Sequence, residues 1–194
     1  MVSTSLYAGI GSRETPDLVL VEMQRLASHL AQAGYTLRSG AAEGADRAFE
    51  EGCVAAGGPC EIWLPWRNFN RHADTGLYPT EAHHELAART QPAWRYLSRG
   101  ARDLHARNMG QVLGMDLATP VQFVVCWTRD GCESEATRTR ETGGTGGAIA
   151  LASRHGIPIF NLANPDALDR LWAQPWASAW TFTGDLPADT YRPE

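Results

Sequence analysis

The stretch Thr142-Gly143-Gly144-Thr145-Gly146-Gly147-Ala148-Ile149-Ala150-Leu151-Ala152 decides how this chain is read. It follows an apolar run, Val121-Gln122-Phe123-Val124-Val125-Cys126-Trp127, and enters a helix-like segment that closes at His155-Gly156. A second apolar run, Ile157-Pro158-Ile159-Phe160-Asn161-Leu162, comes straight after. Strand, glycine-rich turn, helix and strand make the βαβ unit of a parallel sheet. Glycines at a helix entrance let backbone N–H groups approach an anion closely, and the helix dipole favours negative charge there. Gly143, Gly144, Thr145 and Gly146 are therefore ligand-binding candidates, with Thr128 just past the strand end.

Two further glycine turns lie upstream. Leu6-Tyr7-Ala8-Gly9-Ile10-Gly11-Ser12-Arg13 reads as a strand running into Gly-x-Gly, followed by a helix entered at Thr15 and Pro16. Leu18, Val21, Met23, Leu26, Ala27, Leu30 and Ala31 recur at helical spacing up to Gly34. A hydroxyl and a guanidinium directly after Gly9 and Gly11 suit an anion, so Ser12 and Arg13 join the candidates. Tyr35 to Gly40 reads as the next strand, leading into Ser39-Gly40-Ala41-Ala42-Glu43-Gly44-Ala45-Asp46. Gly40 and Gly44 leave a bare backbone there. Asp46 and Glu50, one helical turn apart, share a face and suit ribose hydroxyls; the alternatives are a helix cap for Asp46 and an Arg47 partner for Glu50.

Glu61 to Pro65 reads as the third strand, after which residues 66–90 lose periodicity, as an active-site lid or an oligomer contact does. The neighbours His83 and His84 point about 100° apart on a helix and have no third ligand nearby, so no metal is expected. From Pro92 to Met115 the pattern is helical and contains Leu104-His105-Ala106-Arg107-Asn108. With Leu104 and Met109 inward, Arg107 lies near the buried face, where a guanidinium needs an anion partner.

The chain has 194 residues, 43% hydrophobic and 20% charged, with a formal net charge of -5. That describes a globular domain over 1–194, with an insertion at about 66–115 and a tail from about 174 that includes Trp176 and Trp180. Net negative charge makes nucleic acid an improbable partner. No apolar run reaches the roughly 20 residues of a membrane span, and no secretory leader pattern opens the chain, so no membrane partner is expected. The four cysteines lack metal-ligand spacing. Idle thiols fit a cytoplasmic protein.

With these residues together, the chain resembles the Rossmann-like group that joins the Lonely Guy phosphoribohydrolases to the DNA-processing protein A family, over most of residues 5–163. The resemblance implies an α/β, three-layer αβα sandwich with a mostly parallel central sheet, a nucleotide-type ligand, no separate cofactor, and a homodimer. In the Lonely Guy enzymes a Met-His-x-Arg-Lys segment supplies a catalytic arginine, and a Pro-Gly-Gly-x-Gly-Thr-x-x-Glu segment binds phosphate and supplies a catalytic glutamate. Arg107 matches that arginine and Asn108 replaces the lysine; Gly143, Gly144 and Gly146 match, while Gly147 stands for the threonine and Ala150 for the glutamate. Cleaving an N-glycosidic bond needs a carboxylate beside the sugar, which Ala150 does not provide. Glu50, Glu43 or Glu141 would have to replace it. The expectation is thus a nucleotide-binding protein, with cleavage of nucleoside 5′-monophosphates by Arg107 and Glu50 as the alternative and single-stranded DNA binding as a second.

Overall fold

The computed structural model describes residues 5–179. Five strands, β1 (Ser5–Gly9), β2 (Tyr35–Ser39), β3 (Cys60–Ile62), β4 (Phe123–Cys126) and β5 (Ile159–Asn161), form one sheet in the order β3-β2-β1-β4-β5. Every pairing is parallel. Parallel strands need crossovers, and five helices supply them, α1 (Asp17–Gln32), α2 (Ala45–Ala55), α3 (Glu81–Thr90), α4 (Arg99–Leu113) and α5 (Gly146–Arg154), while α6 (Ala167–Trp172) follows the last strand. The chain moves outward from β1 to β3, then returns through α3 and α4 to lay β4 on the other side of β1. This is a Rossmann-like three-layer sandwich, and the reversal between β1 and β4 opens a crevice at their carboxyl ends.

Alternation along the strands divides the core. Tyr7, Leu37, Phe123, Val125 and Phe160 face α1, α2 and α6. Leu6, Ala8, Val124, Cys126 and Ile159 face α3, α4 and α5. Tyr7 sits in register with Phe123, and their rings stack at 5.6 Å. Trp176 stacks on the other side of Phe123 at 4.5 Å, so the start of the tail covers this core; Trp180 lies outside the described residues.

Four sequence expectations change. On α1 the buried stripe is Val19, Met23, Leu26, Ala27 and Leu30, whereas Leu18 and Val21 face solvent. Pro16 occupies the cap position, and Thr15 instead donates to the Ser12 carbonyl at 2.8 Å. Residues 66–90 are not one aperiodic connection, because their second half is α3. Its buried face carries His83 and Ala87 rather than large apolar residues, which hides the period. His83 accepts from Thr80 N–H at 3.2 Å and faces the Gly114 carbonyl at 3.1 Å, so it caps and ties helices. Before α4 the chain breaks at Leu97–Ser98, and Ser98 caps the helix by accepting from Ala101 N–H. Among the described residues no helix is long and apolar enough to cross a membrane.

Gly52, inside α2, touches α1 so closely that a methyl there would lie 2.1 Å from the Gln24 carbonyl oxygen. Helix propensity alone favours Gly52→Ala by about 1 kcal/mol. The clash reverses the sign: urea unfolding of Gly52→Ala is expected to show a net loss of about 2 kcal/mol.

Candidate functional site

The first loop leaves β1 and keeps pairing with the chain beyond β4: Ile10 and Ser12 N–H groups donate to the Val125 and Trp127 carbonyls, each at 3.1 Å. The second loop crosses it. Ala45 N–H donates to Ser12 O at 3.3 Å, and Gly44, at φ +81, approaches so closely that a methyl would lie 2.6 Å from the same oxygen. Gly11 N–H donates to Asp46 Oδ1 at 3.2 Å. The two loops therefore hold each other with amides that sequence reasoning assigned to a ligand.

Beneath them lies a buried ion pair. Arg107, from α4, donates through Nη1 to Asp46 Oδ2 at 2.9 Å, with the side chains 6% and 4% exposed. Burial pushes the Asp46 carboxyl upward, against the pull of Arg107 and of N–H groups from Ala42 and Gly11. Gly40 makes room for the guanidinium, since a methyl there would lie 1.1 Å from Nη1. Gln111 completes the joint: its amide oxygen accepts from Arg107 Nη1 at 2.8 Å and Gly40 N–H at 3.0 Å, and its nitrogen donates to Asn108 Oδ1 at 3.1 Å. Asn108 in turn donates to the Gly144 carbonyl at 3.1 Å, linking α4 to the third loop. Arg107 Nε is buried and has no hydrogen-bond partner.

The third loop is organised by Asp130. Its carboxylate accepts from the hydroxyls of Thr128 (2.8 Å), Thr139 (2.5 Å) and Thr142 (2.6 Å) and from Cys132 N–H (3.3 Å). Burial opposes its ionisation, but these donors together outweigh burial and hold the carboxyl at about 2. Thr142 is thereby fixed at the entrance to α5. Gly143, at φ +62, and Gly144, which has ordinary φ, would each carry a Cβ into open space. A single 3-10 turn, Gly143–Thr145, runs straight into α5, with Gly143 N–H donating to the Arg140 carbonyl at 3.3 Å and Gly146 N–H to the Gly143 carbonyl, so the exposed backbone at this entrance is that of Gly143 and Gly144.

Between the loops is a cavity of about 710 Å³. Of the candidates read from the sequence, Gly11, Ser12, Arg13, Asp46, Arg107, Asn108, Gly143, Gly144 and Thr145 line it. The remaining candidates lie off its wall. Gly9 packs against Phe49 and Leu37, Gly40 and Gly44 make the close approaches above, and a methyl at Gly146 would meet Arg138. Thr128 is buried and accepts from Asn161 Nδ2 at 2.6 Å. Glu50 is drawn to His72, with 2.6 Å between its Oε1 and Nε2, because the 66–72 loop folds over α2. Ala150 is fully buried on α5.

Arg129, Arg140, Glu14 and Glu141 also line the cavity. Arg129 pairs with Glu14 at 2.8 Å, while Arg13, Arg140 and Glu141 make no ion pair among the described residues. His105, unassigned by sequence, is another wall residue. Arg138 donates to Gln91 Oε1, which turns the Gln91 amide nitrogen toward His105 Nε2 at 3.1 Å. His105 Nε2 thus accepts, and the neutral ring carries its proton on Nδ1, which is buried without a partner. Burial first, then Arg138 and Arg107, lowers its pKa to about 4. Among the described residues no cluster of His, Cys, Asp and Glu suits a metal ion.

No protein-family model matches this chain, and neither a curated protein nor a solved structure does so.

Two expectations follow from this geometry. Asp46→Ala leaves a guanidinium buried without its anion and is expected to cost about 3 kcal/mol or more, whereas replacing both partners by Leu and Met costs less, as a urea-unfolding cycle would show. His105 is neutral in the fold down to about pH 4 but protonates in the unfolded chain from its ordinary 6.5, so acidification favours unfolding between those values. Between pH 7 and pH 5 the wild type should lose about 2 kcal/mol more than His105→Gln does.

Proposed function

We propose that this chain binds a nucleotide or related phosphorylated, ribose-containing ligand in the cavity between its three glycine-bearing loops. The observation that carries this reading is Gly144. Its backbone needs no glycine and nothing packs against its missing Cβ, yet it stands at the entrance to α5 on the cavity wall. A glycine with neither a conformational nor a packing reason is explained by a ligand that occupies the open space. The exposed backbone of Gly143 and Gly144, just ahead of the positive end of the α5 dipole, and the exposed Arg13 and Arg140 then meet a phosphate. The cavity lies at the topological reversal of the sheet, where α/β folds of this kind take their ligands.

In this reading Arg107 shapes the floor more than it grips phosphate, because Asp46 already neutralises it. Cleavage of nucleoside 5′-monophosphates is a second reading. Its acid would be Glu141, which lines the cavity without an ion-pair partner among the described residues, in place of Glu50.

A panel of nucleoside 5′-monophosphates is expected to raise the melting temperature of the folded chain, as any ligand of the native state does. Gly144→Val fills the open space without touching the core, so its unliganded melting temperature should match the wild type while its affinity falls at least tenfold by calorimetry. A panel without any shift, or a variant that binds as well as the wild type, would overturn the assignment. Chromatography of the same mixtures for free base tests the cleavage reading, which is dropped if none appears.

A further inference from the structure

A second concavity, about 600 Å³, opens where the end of α3 and the following turn meet the 135–138 segment and the end of α5. Arg89, Arg95, Arg138 and Arg154 line it against a single carboxylate, Glu135, with Trp94 as an aromatic wall. That is a strong local excess of positive charge in a chain whose formal net charge is -5.

The carboxylate does not serve the whole cluster. Arg154 holds Glu135 through both oxygens, at 2.8 and 2.5 Å, and sends its remaining donor to the Arg89 carbonyl at 3.2 Å. Arg138 is half-buried, yet its acceptors are both neutral: the Thr90 carbonyl at 2.9 Å and Gln91 Oε1. Among the described residues it makes no ion pair, and neither do Arg89 and Arg95. A partly desolvated guanidinium without an anion, surrounded by three others, is costly unless something negative enters the cleft.

We propose that this cleft is a second anion site and that it takes a phosphate-bearing small molecule. Arginines brought to one cleft by different elements suit a tetrahedral, multiply charged group, whereas the one carboxylate present leaves most of them uncompensated, even though Arg95 also rests over the Tyr96 ring at 4.6 Å. Its volume exceeds that of a bare phosphate, and Trp94 offers a flat apolar surface to the remainder of the ligand. The site stands whether or not the glycine-turn cavity holds a nucleotide.

Calorimetric titration with pyrophosphate tests it, using Arg89→Gln/Arg95→Gln, whose altered side chains are both exposed, beside Gly144→Val. The wild type is expected to take up pyrophosphate at a site that weakens at least tenfold in the double variant and is unchanged in Gly144→Val. Acetate at equal ionic strength should not occupy it. Binding equal to wild type in the double variant, loss confined to Gly144→Val, equal affinity for acetate, or no uptake of pyrophosphate by the wild type would each overturn the proposal.

Discussion

The ion pair between Arg107 and Asp46 is the joint on which the cavity depends. It connects α4, from one layer of the sandwich, to the start of α2, from the other, across the carboxyl edge of the sheet. A charge buried to this degree needs partners, and the neighbouring residues supply them to the carboxylate and to Arg107 Nη1, while Nε is left without one. Gly40 leaves space, Gln111 accepts, and Gly11 N–H completes the carboxylate. Such a pair is weak evidence for stability, because desolvation offsets much of the attraction. Its consequence is geometric: two layers that share no backbone ladder at this edge are held in one arrangement.

That arrangement divides labour among the three loops. The first two use their amides and close glycine contacts on each other, so they form a firm wall with little hydrogen-bonding capacity left over. The third is held from behind by Asp130 and its threonine hydroxyls, and it presents α5 with an open entrance. Three glycine-rich turns that look interchangeable in sequence therefore do different work. In two of them glycine permits packing; in the third, Gly143 and Gly144 leave empty space.

The layout of the fold was legible because its signals are local. Apolar runs broken by glycine turns identify β1, β2, β4 and β5, and the pattern of strand and helix implies the parallel sheet. Half of the site was legible for the same reason. What escaped depends on partners distant in the chain. Asp46 and Arg107 meet across 61 positions, and no spacing rule connects them. Glu50 looked available because His72 lies in a loop whose path the sequence did not disclose. Asp130 left one trace, the recurrence of threonine at 128, 139 and 142, whose hydroxyls all reach its carboxylate. The face of α3 was hidden by His83, a polar residue whose two nitrogens are both satisfied inside the protein.

The electrostatics of the glycine-turn cavity follow from which charges are already matched. Asp46 cancels the buried arginine, and Glu14 engages Arg129, so on the proposed reading the attraction for an anion would come from Arg13 and Arg140 at the rim and from the α5 dipole behind the exposed backbone of Gly143 and Gly144. The two sources act over different ranges. Exposed arginines draw an anion from solution, but salt screens them beyond about 8 Å at physiological ionic strength. The backbone of Gly143 and Gly144 would act only at contact, in a confined space where water competes less. On the proposed reading, rim charges would govern arrival, while the entrance at Gly143 and Gly144 would discriminate by shape. A neutral His105, with its proton held on the buried nitrogen, adds no charge to that entrance over the ordinary pH range, so the contact surface keeps the same sign and geometry while the rim is free to respond to salt.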